Sequence, residues 1–380
     1  MKPVPLSLVA YAPLFLVAFV VALVTVGVLV PRVRRFALRV QAVQVGGADH
    51  GNGRRMHDGA IPNIGGIAIL AGFLLAMLVG SIVAPAAIES YRVELLAIVL
   101  GGSLMALVGF IDDIWEVPAA MRLATQFLAA GILVVNGVRI DFVTNYFAGS
   151  GYVFMPEVLS VALTLLWVVG FTNAFNFIDG VDGLSSGIAA IASLSLFAVA
   201  LQFPDRGASV LILAALAGAA LGFLRHNFNP ATITMGDSGA YLLGYVLAAV
   251  SVLGALKVTA AVTVMAPVLI LALPVLNITH VTLRRLRRGV NPAVAANDHL
   301  HDLLRSRSGS PRVTVFVLWG ATLVLGALGM LLSQTPLVLL LGTVVAAVLL
   351  IGMVSYLRLR EVGDERRRLA ALAVEEPRAR

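Results

Sequence analysis

The residues of this chain whose types and spacing could do chemistry are carboxylates and amides. Asp112 and Asp113 stand side by side in GFIDDIW. Two adjacent carboxylates repel unless a cation or a shared proton offsets them, and at a helix C-terminus both would oppose the helix dipole. The run NAFNFIDGVDGL places Asn173, Asn176, Asp179 and Asp182 at intervals of three, so on a helix they drift around one side. Gly180 and Gly183 let the backbone leave the helix and approach a ligand. Capping by Asp182 over Leu184 to Ile188 would explain one of those four polar residues, not all. The run HNFNPATITMGDSGAYLLG sets Asp237 at the start of an apolar stretch. There it is either a plain N-cap or a ligand beside a phosphate held by helix amides. Farther on, NDHLHDLLRSRSGSPR gathers His299, His301, Asp302, Arg305 and Arg307, of which the histidines and arginines suit partnering phosphate charge. Oxygen donors of this kind suit a hard cation and a phosphate-bearing substrate.

Several chemistries are excluded. There is no cysteine, hence no thiolate nucleophile and no Cys-zinc site. HExxH is missing, and the only lysines are Lys2 and Lys257, with no GxxxxGK[ST] loop. Phosphate contacts must therefore come from arginine, histidine, backbone amides or a metal.

The elements that must position these residues are membrane helices. Of 380 residues 59% are hydrophobic and 12% charged, with a mean hydropathy of +0.97. No soluble globule hides that much apolar surface. Eleven stretches are apolar enough to span, some short enough that the number could be ten: 8–30, 61–84, 93–111, 119–136, 157–175, 183–201, 208–225, 237–255, 259–280, 313–333 and 336–357. The reading is all-α and polytopic, one domain over 1–380, with 358–380 as a basic tail. Of the 27 basic residues, 22 fall on the side of the odd-numbered connections. The positive-inside rule makes that side cytoplasmic, with the N-terminus outside and the C-terminus inside. Arg32, Arg34, Arg35 and Arg366 to Arg368 are read as topology signals. After the outward acids and the tail are set aside, the remaining acids all lie at cytoplasmic helix ends or loops. None lies at mid-span, where a proton or ion pathway would normally place one.

In this order the motifs resemble the polyprenyl-phosphate N-acetylhexosamine-1-phosphate transferases. The match runs from RRMHDGAIPNIGGIAI (54–69) through Asp112-Asp113, NAFNFIDGVDGL (173–184) and HNFNPATITMGDSG (226–239) to DHLHDLLRSRSG (298–309). The resemblance implies transfer of a sugar-1-phosphate from a UDP-sugar to undecaprenyl or another polyprenyl phosphate, with release of UMP and with Mg²⁺ or Mn²⁺ as cofactor. Enzymes of this kind open cell-envelope glycan pathways such as O-antigen and teichoic-acid linkage units. By resemblance Asp237 is the leading metal ligand, with Asp179 near metal and nucleotide. Asp112, Asp113, Asp182 and His301 join the catalytic set, and Asn173, Asn176, Asn227, His299 and Arg305 contact substrate. Asp112 is a candidate handler of the lipid phosphate's proton. The expected partners are UDP-sugar, polyprenyl phosphate and the bilayer of the inner membrane, with nucleic acid not among them and a homodimer compatible.

Two positions depart from the family pattern. Thr234 stands where relatives often carry a uracil-stacking Phe, with Phe228 the nearby aromatic. His299-Leu300-His301-Asp302 replaces His-x-His-His, leaving Arg305 to take over a histidine's task. The absence of an FELKG-like segment favours the N-acetylhexosamine branch over the phospho-MurNAc-pentapeptide transferases, which remain the alternative. A secondary transporter of an anionic solute is an alternative of another class. It predicts ionisable groups or broken helices within spans, and Pro267 and Pro274 mark where a break would fall. A degenerate, inactive relative is the third.

Overall fold

A computed structural model describes residues 6–44, 61–144, 152–203, 205–255, 265–289 and 299–375. Residues 54–60 of the first motif and 259–264 of the ninth stretch lie outside them. In lipid every backbone N–H and C=O must be satisfied within its own segment, so the apolar runs become helices. They are α1 (Leu6–Arg39), α2 (Gly66–Val83), the short α3 (Pro85–Ile88), α4 (Arg92–Trp115), α5 (Ala119–Val135), α6 (Glu157–Ile178) and α7 (Leu184–Ala200). There follow α8 (Gly207–Asn227), α9 (Gly236–Ala255), α10 (Met265–Ile270), α11 (Ala272–Arg287), α12 (Leu300–Ser308), α13 (Pro311–Leu332) and α14 (Leu337–Glu375). Two small antiparallel ribbons add to the all-α expectation: β1 (Val43–Gln44) pairs with β2 (Ile61–Pro62), and β3 (Phe142–Thr144) with β4 (Tyr152–Phe154).

Among the described residues eight helices are long and apolar enough to cross a membrane, and α5 and α7 are shorter apolar helices. The chain is a multi-pass membrane protein. The ninth stretch is not one rod: Leu271 interrupts it between α10 and α11. Pro274 sits in the first turn of α11, where a missing N–H leaves no bond unmade. The last stretch does not end at 357 either. Arg, Leu, Glu and Ala carry α14 on as helix through most of the expected tail.

The bundle is built around α8, whose apolar window is 100% buried, against 17% for α14. Its AALAGAALG run lets neighbours approach closely: a Cβ at Gly218 would strike the Phe19 carbonyl of α1. α1, α2, α7 and α14 pack around α8, while α9 packs on α4 and α6. The exposed leucines and valines of α1, α13 and α14 form the surface offered to lipid.

Candidate active site

The C-terminal ends of α4 and α6 meet the N-terminal end of α9, and this junction carries most of the polar residues singled out above. Asp113 lies in the last turn of α4. Its Oδ1 accepts from the Asp237 amide (2.7 Å) and its Oδ2 from the Ser238 amide (3.2 Å). Asn63 Nδ2 donates to the same carboxylate at 3.1 Å. The carboxylate that opposes the dipole of its own helix thus caps the positive end of another. It also occupies the amides at the start of α9, which are therefore not open to a phosphate. Close packing makes this possible: a Cβ at Gly109 would collide with Ser238, and one at Gly66 with Gly239. Gly236 turns the chain into α9 at φ +68°, where a side chain would also hit Asn63 O and the Asp113 carboxylate.

Asp237 itself points the other way. Its Oδ1 accepts from Asn176 Nδ2 at 2.8 Å, and Arg122 Nη1 lies 3.6 Å from its Oδ2. Tyr241, one turn along α9, adds a hydrogen bond. The same Arg122 Nη1 donates to Asp112 Oδ2 at 2.9 Å, while Asp112 Oδ1 accepts from the Val117 amide at 2.6 Å. Asp237 keeps 29% of its side chain exposed and Asp112 7%. Sequence reasoning missed Arg122 and Tyr241. The signal was present, for Arg122 is the one basic residue between Arg92 and Arg139 and sits in an apolar helix.

Asn173 faces α5 rather than Asp237. It exchanges hydrogen bonds with Gln126, 3.2 and 2.6 Å, which ties α5 to α6. Asp179 caps the end of α6 and accepts from Ser185 Oγ. Burial pushes its carboxyl up to about 8; the Ser185 hydroxyl works against that, and the charges of Asp237 and Asp182 add to it.

Asp182 and Asn227 form a second, inner group. Asp182 is 3% exposed and accepts from Asn229 Nδ2 (3.0 Å) and the Ala231 amide (3.1 Å). It does not cap α7, whose N-cap is Gly183. Asn227 Oδ1 accepts from the Gly183 amide (3.0 Å) and Ser186 Oγ (3.2 Å), and its Nδ2 donates to Ile233 O (3.1 Å). These bonds fasten the turn 179–183 to the loop 228–235. Thr234 belongs to the same scaffold, donating to Asn63 Oδ1 at 2.6 Å. Phe228 is fully buried against Phe316 and Trp319, so it offers no face to a base.

The histidines come from α12. His299 is the N-cap and Asp302 completes a capping box, which accounts for the acid at the departed histidine position. Asn277 of α11, also missed from sequence, accepts from the Leu300 amide at 2.9 Å. Phe177, His299 and His301 stack, with centroids 5.6 and 5.4 Å apart. His301 rests on Gly180, where a Cβ would meet its Nε2. Burial pushes its imidazole down to about 3, with His299 and Arg305 adding to the shift. That shift favours the neutral imidazole, which can offer a hydrogen bond. Its Nδ1 is buried with no hydrogen-bond partner. Arg305, in the last turn of α12, is half-buried and adds to the positive field at His301.

The donor set decides which metal fits. Among the described residues no three His, Cys, Asp or Glu side chains stand close enough to cage an ion. Asp237 is part-exposed, the side-chain amide of Asn176 stands beside it, and Asp179 is close enough to feel its charge. One or two carboxylates with amide oxygen fit Mg²⁺ or Mn²⁺, which complete their shells with phosphate and water; they do not fit zinc.

The helical bundle with acids and amides converging at one end defines a class, and the chain belongs to it: glycosyl transferase family 4, whose model matches residues 95–255. A Bacillus subtilis relative named "probable undecaprenyl-phosphate N-acetylglucosaminyl 1-phosphate transferase" is 32% identical over 306 residues, 80% of each chain. The decaprenyl-phosphate N-acetylglucosaminephosphotransferase of Mycolicibacterium smegmatis is 34% identical over 337 residues, 82% of each. The undecaprenyl-phosphate alpha-N-acetylglucosaminyl 1-phosphate transferase of Escherichia coli K12 is 26% identical, over 78% of this chain and 79% of the relative.

Proposed function

We propose that this protein transfers N-acetylglucosamine-1-phosphate from UDP-GlcNAc to a polyprenyl phosphate and releases UMP. The reaction takes place at the cytoplasmic face of the inner membrane, in a bundle of eleven spans with the N-terminus outside. The observation that carries the reading is the convergence of Asp112, Arg122, Asn176, Asp179 and Asp237 on one bundle end, beside lipid-facing helices that an acceptor confined to the bilayer can reach.

In the reaction an oxygen of the lipid phosphate attacks the phosphorus that bears the sugar. The bond from that phosphorus to the UMP oxygen breaks, and the electron pair leaves with UMP. Asp237, with Asp179 and the Asn176 amide, would hold Mg²⁺ or Mn²⁺, which when bound neutralises the diphosphate and the departing oxygen. Arg122 brings a guanidinium to the same cluster, oriented by Asp112, and suits an anionic phosphate. Asp112 orients Arg122 through its Oδ2. A lipid phosphate monoester arrives already charged. His301 contributes a neutral hydrogen-bonding edge, and Asp113, Asp182 and Asn227 hold the walls in place.

The test is a membrane assay with labelled UDP-GlcNAc and polyprenyl phosphate, with and without Mg²⁺. Lipid-linked GlcNAc-diphosphate formed only with the cation is the expected result. No lipid-linked product from any UDP-N-acetylhexosamine, using folded protein, would sink the reading. Offering UDP-MurNAc-pentapeptide to the same preparation separates the two branches of the family.

A further inference from the structure

The loop 228–235 leads from α8 to Asp237, and three arginines from distant parts of the chain grip its outer side. Arg34 Nε of α1 donates to Thr232 O (3.2 Å), Arg312 Nε of α13 to Asn229 O (3.2 Å), and Arg358 Nη2 of α14 to Pro230 O (2.8 Å). Arg358 is buried, and Glu361, one turn on, is shared between it (3.6 Å) and Arg225 of α8 (2.6 Å). An arginine that served topology alone would keep its head in water. A buried guanidinium is costly unless it is paired, and Arg358 offsets that cost on the Pro230 carbonyl and Glu361, tying α14 to the loop.

Asn229 joins this outer grip to the inner group. Its carbonyl receives Arg312 while its amide donates to Asp182. A loop that slackens at 229–231 takes both donors from Asp182 and loosens the turn that carries Asp179. By the resemblance Asp179 stands near metal and nucleotide, so on the donor reading the soluble substrate meets the protein at this turn, whereas the lipid acceptor arrives along the helices. We infer that Arg312 and Arg358, braced by Glu361, are positioning residues that clamp the loop 228–232 and set the affinity for the sugar-nucleotide donor. The C-terminal helix is thereby part of the donor site without touching the donor. This rests on the donor reading given above.

Steady-state kinetics of Arg312→Gln and Arg358→Gln, varying each substrate in turn, test it. The expected result is a donor KM raised roughly tenfold, as for loss of an outer partner of a site residue. kcat and the acceptor KM should stay within about twofold, and Arg358→Lys should recover part of the donor KM. A purely structural role would lower the folded fraction and so the rate, leaving both KM values alone; that result overturns the inference. So does an equal rise in both KM values. If Arg358→Gln does not fold, Glu361→Gln, which unbraces Arg358 from a part-exposed position, is expected to raise the donor KM in the same sense. An unchanged donor KM there and in Arg312→Gln overturns the inference. Hydrogen exchange at the Ala231 and Thr232 amides is a readout that needs no donor. It should quicken about tenfold in these variants, and unchanged exchange defeats the clamp even if the wild type accepts no UDP-sugar.

Discussion

Two groups of acids lie near one another at the same end of the bundle and are treated in opposite ways. Asp113 and Asp182 are held by amide donors, Asp113 by two backbone amides and Asn63, Asp182 by Asn229 and Ala231. Asp237 keeps an exposed face, and its neighbours are Asn176, Arg122 and Tyr241. Acids of the first kind are occupied by donors of the fold and hold helix ends and loops. Acids of the second kind leave negative charge for a ligand to answer. A carboxylate in a conspicuous motif is therefore not a reacting group by that fact.

The widest separation of the two groups comes from removing an acid of the second kind. Asp237→Ala should lower transfer more than about 10³-fold, since the charge stabilisation lost is several kcal/mol, while the melting profile in detergent stays close to that of the wild type. Equal activity would remove Asp237 from the site. Asn176→Ala comes next. It takes one partner from Asp237 and should weaken Mg²⁺ activation about 10- to 100-fold, measured as the cation concentration for half-maximal rate.

For the first kind the sign of the readout reverses. Asp113→Ala uncaps α9 and leaves Asn63 without its acceptor, so it should cost about 1–3 kcal/mol of stability. In the surviving folded protein Mg²⁺ activation should change less than in Asn176→Ala. A smaller effect concerns His301. Its folded pKa lies near 3, well below the ordinary histidine value. Between the two values the unfolded chain binds the extra proton, so stability falls as pH drops from about 6.5 toward 3. His301→Gln should flatten that fall between pH 7 and pH 5, seen in thermal melts at the two pH values.

Much of this was legible in the sequence, and the remainder has a physical reason for staying hidden. Period-three amides and acids at the ends of apolar runs were enough to gather Asn176, Asp179 and Asp237, because helix geometry and membrane sidedness are local rules. The pairing of Asp113 with the start of α9 was not legible. It spans 124 residues and depends on how α4 packs on α9. Its trace is steric, in Gly66, Gly109 and Gly236, each of which makes room for a neighbouring backbone. Asn173 was grouped with Asn176, yet the helix turns it toward Gln126, for an interval of three displaces a side chain as well as repeating it. Arg34 and Arg122 were counted as charges on a membrane side, a count that says nothing of what each guanidinium touches. The extension of α14 was cut at 357 because hydropathy ended there, whereas helix propensity did not.

The contrast between the two kinds of acid is most directly tested by Mn²⁺ binding, followed by its paramagnetic resonance signal, to the isosteric variants Asp237→Asn and Asp113→Asn. Neither substitution changes side-chain size, and each replaces one carboxyl oxygen at the same junction by an amide nitrogen. Loss of tight binding in Asp237→Asn with its retention in Asp113→Asn is the predicted result. Equal loss in both, or loss in Asp113→Asn alone, would contradict the division between acids that hold the fold and acids that hold the ligand.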